Sequence, residues 1–289
     1  ALFNGYKNIA TGYCSEAFSV LTGAPTRIIS IPRDDFMRKD EKGAKDRLWN
    51  EIKASFNHGF LLCAGVLRDK CEKKESLGLE GKHAYSILDV QELESPEGHI
   101  GVIKLRNPYS SHPLNHSDWK KSQRIKARTR DTTENDSAEF WITYQDLIDN
   151  FDIVEICQVH DHFSYRFIKP SQLKLDNSSL SVVKMTVKEE GLVYLTLHQK
   201  IQRPHNIDPR TGYSNACILL MKLKCEHSSE KSIHRELGSS QQIIIEKNLE
   251  KGVYLVHVQI DWASSIDNYA IISAYSGSPV EFEALNGNI

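Results

Sequence analysis

The sequence lacks the cysteine spacing of a metal site. Its six cysteines, Cys14, Cys63, Cys71, Cys157, Cys217 and Cys225, include no C-x-x-C pair. Two pairs stand eight residues apart, which fits no common zinc arrangement. No apolar run approaches the ~18 residues of a membrane span. A charge excess is missing too: 36 basic residues face 38 acidic ones for a net charge of −2, whereas bulk nucleic-acid binding wants a strong basic surplus. No zinc, nucleotide or nucleic-acid partner is expected. The chain opens on Ala1, without the basic and apolar regions of a signal peptide. Residues Ala1 to Ile9 read as the middle of a domain, so a piece of a longer protein is expected. Reduced thiols and a cytoplasmic location follow as expectations.

What is present fits a folded chain. At 289 residues, 40% of them apolar, a sizeable core can form, and the length suits two domains. The pattern changes near residue 160. Before it, helix and strand signals alternate. Ser15 to Thr22 predicts a short helix with Ala17, Phe18 and Leu21 inward, stopped by Gly23 and Pro25. Asp46 to Asn57 repeats Leu48, Trp49, Ile52 and Phe56 at helical spacing. Phe60 to Ala64 predicts a buried strand. His83 to Val90 and Ile100 to Leu105 predict strands joined by a turn at Ser95 to Gly98. Glu139 to Thr143, Tyr144 to Phe151 and Asp152 to Val159 read as strand, helix and strand. After residue 160 the signals are strands only: seven runs between Ser181 and Ala284 predict an antiparallel sandwich. Domains over 1–160 and 161–289 are expected.

One segment stands out for chemistry. Gly81-Lys82-His83-Ala84-Tyr85-Ser86 places a histidine at the start of an apolar strand, and Leu105-Arg106-Asn107-Pro108-Tyr109 places an asparagine at the end of the next. Adjacent strands would set His83 and Asn107 side by side at one sheet end, provided that a bulge or a longer first strand absorbs their unequal distances from the turn. The Asn carbonyl then accepts from one ring nitrogen and leaves the other for a nucleophile. The pair is expected at an exposed edge, where the amide contributes only ~1 kcal/mol to folding.

These residues resemble the second half of a calpain-type, papain-like cysteine protease core. In that family a G-H-A-Y-S motif carries the catalytic His, R-N-P-W carries the Asn, and D-G-E-F-W precedes a closing E-I-C strand. Lys82-His83-Ala84-Tyr85-Ser86, Arg106-Asn107-Pro108-Tyr109, Ser137-Ala138-Glu139-Phe140-Trp141 and Leu147 to Cys157 follow in that order. Gly12 to Gly23 resembles the segment between the family's two lobes, and Leu195 to Leu223 the start of its C2-like sandwich. The fold class implied is α+β: a papain-like His/Asn lobe with an antiparallel sheet, then an all-β C2-like antiparallel sandwich. The resemblance implies His83 and Asn107 as catalytic residues, with Tyr109 supporting them where the family's Trp shields the His–Asn bond. The family's nucleophile lies in a G-x-C-W helix on the preceding lobe. No such motif exists here, so the nucleophile is expected upstream. Cys14 reads as structural or incidental, and Cys63, in an apolar strand, as a buried and inert thiol.

Calcium is the cofactor implied by the resemblance. The family's calcium loop after the Asn motif is replaced here by Ser111 to Trp119, with only Asp118. Asp131, Glu134, Asp136 and Glu139 offer hard oxygen ligands, and a solvated acidic loop is the alternative. The basic run Lys120, Lys121, Arg124, Lys126, Arg128 and Arg130 precedes that cluster, so mutual neutralisation is favoured over nucleic-acid contact. His112 and His116 are parted by Pro113, which argues against a zinc-binding helix; His160 and His162 read as hydrogen bonders at the junction. In the sandwich, Asp208, Asp261 and Asp267 are thin support for calcium-dependent lipid binding, and protein docking is the stronger reading. Two functions remain open: part of a calpain-like endopeptidase acting on protein substrates, or an inactive calpain-like scaffold.

Overall fold

Alternation of apolar side chains along the strands fixes which face of each sheet is buried. The computed structural model describes residues 12–32, 43–67, 79–96, 98–109, 116–133, 138–168, 181–199, 213–223, 233–262 and 270–285. Its contacts divide into two units. One holds Tyr13–Leu21 and Thr26–Val159; the other holds Thr22–Pro25 and the chain from His160 onward. The class is α+β, with mostly antiparallel sheets and four helices among the described residues.

In the first unit the elements are α1 (Cys14–Thr22), β1 (Thr26–Ser30), α2 (Ala44–Asn57), β2 (Leu61–Val66), β3 (His83–Ser95), β4 (Gly98–Arg106), α3 (His116–Lys126), β5 (Glu139–Thr143), α4 (Tyr144–Asn150) and β6 (Ile153–Cys157). The six strands form one antiparallel sheet in the order β1-β6-β2-β3-β4-β5. On one face Leu62, Ala64, Tyr85, Ile103, Leu105, Phe140, Val154 and Ile156 bury a core with Leu48 and Ile52 of α2 and Leu147 of α4. Helix α4 starts at a capping box in which Thr143 and Asp146 satisfy each other's backbone N–H groups. The opposite face buries Leu93, Val102 and Trp141 against Ile125 of α3.

Gly101 on β4 leaves room for the indole of Trp49, which also donates Nε1–H to Glu92 at 2.8 Å. A Cβ at position 101 would come within 2.7 Å of that ring. Gly101→Ala is therefore expected to cost about 1–3 kcal/mol through overpacking, read as a lower urea midpoint at unchanged slope.

Helix α1 does not bury the face that its apolar spacing predicts. Ala17 is exposed and Leu21 is 82% exposed, while Ser15 and Glu16 are buried. The reason is polar docking. The buried carboxylate of Glu155 accepts the Cys14 N–H at 3.2 Å and the Ser15 N–H at 2.9 Å, and so holds the first turn of the helix against β6.

In the second unit β7 (Ser164–Ile168), β8 (Ser181–Val187), β9 (Gly191–Gln199), β10 (Asn215–Lys222), β11 (Ile233–Gly238), β12 (Gln242–Leu249), β13 (Gly252–Asp261), β14 (Ala270–Ser276) and β15 (Val280–Ala284) form two antiparallel sheets, β11-β10-β13-β8-β15 and β12-β9-β14-β7. One core joins them, including Val183, Met185, Ile218 and Val256 from the first sheet and Leu195, Leu197, Ile243 and Ile272 from the second. The sequence pattern predicts seven of these nine strands. It misses β7 and β11, whose polar residues face outward on sheet edges.

Candidate active site

Strand β3 begins at His83, and β4 ends at Arg106, one residue before Asn107. The two strands are a hairpin whose partners run from Ser95 opposite Gly98 to Asp89 opposite Lys104 in one phase. At Leu88 the pairing shifts, and beyond it Ile87 faces Leu105 and Ser86 faces Arg106. This bulge decides the site. Side chains alternate between faces, so without the extra residue His83 and Asn107 would point to opposite sides of the sheet. With it, Asn107 falls level with Tyr85, and His83 stands two residues further along on the same face. His83 Nε2 lies 2.9 Å from Asn107 Oδ1.

The hydrogen bonds also fix the imidazole tautomer. Asn107 Oδ1 accepts the backbone N–H of Tyr109 at 3.1 Å, which identifies that atom as the oxygen. An oxygen can only accept, so His83 donates Nε2–H to it and keeps a lone pair on Nδ1. The Asn107 backbone N–H in turn donates to the Ala138 carbonyl at 2.9 Å. Asn107 is fully buried, which corrects the expectation of an exposed-edge amide.

Aromatic rings frame the histidine. Tyr109 stacks on it with ring centroids 4.5 Å apart and planes 26° from parallel, although its own side chain is 67% exposed. Tyr85 meets it edge-on at 4.9 Å. Tyr85 is fully buried, and burial pushes its phenol up to about 12, so it stays neutral while its hydroxyl accepts the Glu80 N–H at 3.0 Å. That bond pins the loop leading into His83. Within the loop Lys82 adopts a left-handed conformation with φ of 50°, where the family motif carries glycine. Lys82→Gly is expected to raise unfolding stability by about 1 kcal/mol, measured by urea denaturation, because glycine meets no Cβ penalty there.

The acidic cluster is arranged around a lysine. Lys104 Nζ lies 2.9 Å from Asp131 Oδ2 and 2.7 Å from Glu139 Oε2, and donates to Thr133 Oγ1 at 2.9 Å, which uses all three ammonium donors. Asp131 further accepts from the Thr133 N–H and hydroxyl and from Trp141 Nε1–H. Burial alone would raise the Asp131 carboxyl; the bonds from Thr133, Lys104 and Trp141 outweigh it and hold the group well below its ordinary value. Asp131 and Glu139 are thus committed to an internal cation and do not fit a calcium ion without displacing it. Glu134 and Asp136 lie outside the described residues. No cluster of three or more metal-ligating side chains occurs among the described residues. Lys104 escaped the sequence reading; its one signal is a charge inside the apolar run Val102 to Leu105.

The other expected residues are placed as follows. Part of the basic run lies on α3, where Lys121 pairs with Asp146 at 2.8 Å; Lys126 Nζ donates to the Thr133 carbonyl at 2.7 Å and Arg128 to the Glu94 carbonyl. His160 Nε2 lies 2.8 Å from the Tyr194 hydroxyl, and its backbone exchanges two hydrogen bonds with Tyr275. Asp261 ends β13, while Asp208, Asp267 and His112 lie outside the described residues.

An imidazole with a fixed Nε2 proton, a free Nδ1 lone pair and an amide holding the ring has the form of a general base for a nucleophilic hydrolase. Residues 1–158 match the family model described as calpain family cysteine protease. That match spans more than half of the sequence, and the chain belongs to the calpain family. Similar relatives include calpain clp-1 of Caenorhabditis elegans, 28% identical over 167 residues, and the calpain-type cysteine protease DEK1 of Zea mays, 29% identical over 164. Each alignment covers 55% of this chain, but only 20% of clp-1 and 7% of DEK1. Calpain-5 of Caenorhabditis elegans is 23% identical over 193 residues, covering 57% of this chain and 30% of that protein. The chain thus spans a minor part of the length of these relatives.

Proposed function

We propose that this chain is the His/Asn lobe and C2-like sandwich of a calpain-like intracellular cysteine endopeptidase whose Cys lobe lies upstream of residue 1. The observation that carries the reading is the 2.9 Å bond from His83 Nε2 to Asn107 Oδ1. His83 Nδ1 takes the proton of the upstream thiol, and the thiolate attacks a peptide carbonyl. The imidazolium then protonates the leaving amine, and water hydrolyses the acyl-enzyme. Asn107 holds the ring throughout and Tyr109 covers one of its faces. The substrate is protein, and the sandwich docks a protein partner or a membrane lipid surface.

A second reading is an inactive scaffold. It is favoured by the exposure of Tyr109, which leaves the His–Asn bond less shielded than a tryptophan would. The two readings separate in one assay, casein hydrolysis by the protein extended through its upstream region. Activity that His83→Ala lowers by about 10²–10⁴-fold supports the protease. Activity untouched by His83→Ala overturns it, and an extended protein without hydrolysis leaves the scaffold. Running the assay with and without calcium reads the metal requirement. The 289-residue chain alone is expected to hydrolyse nothing, because it carries no G-x-C-W nucleophile.

A further inference from the structure

We propose that Cys14 and Cys63 form a peroxide-sensitive dithiol that closes to an intrachain disulfide and ties α1 to β2. Three observations place the two thiols together. Cys63 on β2 stands directly opposite Glu155 on β6, so their side chains share one face of the sheet. The Glu155 carboxylate accepts the backbone N–H of Cys14 at 3.2 Å, which brings the first residue of α1 onto that same face. The Cys14 side chain is also the strongest influence on the Cys63 thiol, as befits close neighbours. Both cysteines are free.

The two thiols differ in the way an oxidisable pair requires. Cys14 is half-buried and reachable by a small oxidant, whereas Cys63 is buried. The Cys14 side chain, burial and the neighbouring Glu155 carboxylate all raise the Cys63 thiol above its ordinary value, so Cys63 stays protonated and inert by itself. Oxidation therefore begins at Cys14. Its thiolate attacks one oxygen of hydrogen peroxide, the O–O bond breaks, and Cys14 sulfenic acid forms with loss of hydroxide, which takes up the proton released by the Cys14 thiol and leaves as water. The Cys63 sulfur then attacks the sulfenic sulfur; the S–O bond breaks, and the hydroxyl leaves as a second water with the Cys63 proton. Two thiols lose two electrons and one peroxide gains them.

The bond would close a loop containing β1 and α2 and fasten α1 beside the strand that pairs with β3. In that pairing Val66 faces His83 and Cys63 faces Ser86. A crosslink over that span constrains the unfolded chain and raises the melting temperature.

The test treats the folded chain with excess hydrogen peroxide, blocks residual thiols with N-ethylmaleimide and maps non-reduced tryptic peptides. The expected result is a linked peptide pair containing Cys14 and Cys63, abolished by dithiothreitol, with two of the six thiols lost and a higher melting temperature. In Cys63→Ala, dimedone should instead trap sulfenic acid on Cys14. The proposal is overturned if Cys14 remains unmodified, if it proceeds to sulfinic acid while Cys63 stays alkylatable after unfolding, or if the linked peptides join another pair. The wild-type map decides the matter even if the variant does not fold.

Discussion

Replacing Lys104 with methionine is expected to lower unfolding stability by about 3–5 kcal/mol, the cost of stranding buried charge by removing one partner. The Lys104 and Asp131 side chains are both buried, and Glu139 is nearly so. Methionine fills much the same volume but leaves two carboxylates facing each other without a cation. The loss should depend on pH, and its sign follows from Asp131. A carboxyl held below its ordinary value contributes stability above its unfolded pKa, and that contribution fades as pH falls toward the folded value. The wild-type chain should therefore lose stability below about pH 4. Lys104→Met should lose less over the same range, so the two urea midpoints converge in acid. Midpoints that coincide at pH 7 would show that the lysine carries no such role.

Asn107→Ala should lower kcat about 10²-fold in the extended protein, with KM almost unchanged, since the amide orients the base and touches no substrate. It should also destabilise the fold by about 1–3 kcal/mol, because the alanine leaves the His83 Nε2–H and the Tyr109 N–H without their acceptor. Asn107→Asp keeps an acceptor oxygen at the same place and should recover part of that stability. The decisive measurement is the split between kcat and KM at full folding. A rise in KM at constant kcat would assign Asn107 to substrate binding and remove it from the orientation of His83.

The hairpin partnership of His83 and Asn107 was legible because the Pro/Gly turn and the flanking apolar runs mark both strands. The phase that turns both side chains to one side was only half legible. The need for an irregularity follows from counting residues, but nothing in Ile87-Leu88-Asp89 names Leu88 as its place. Lys104 was hidden because its partners Asp131 and Glu139 lie 27 and 35 residues away in sequence, and only the β4–β5 pairing brings Glu139 alongside. Helix α1 was read from its apolar residues, whereas its orientation is set by Glu155, a single acid in an apolar strand distant in sequence. Strands β7 and β11 were missed because edge strands with exposed faces show little hydrophobic alternation.

The extra residue at Leu88 makes the hairpin arm beyond it a matter of even and odd. Between Asp89 and Lys104 the arm extends away from His83, and its length has no bearing on the imidazole as long as both strands change together. Trimming one residue from each arm shortens the hairpin and preserves the parity of the pairing, so the ring still faces the amide. A single deletion in either arm, or the loss of Leu88 itself, reverses that parity and turns His83 to the far side of the sheet. Length variation among natural or engineered versions of this hairpin should therefore come in matched steps, one residue per strand.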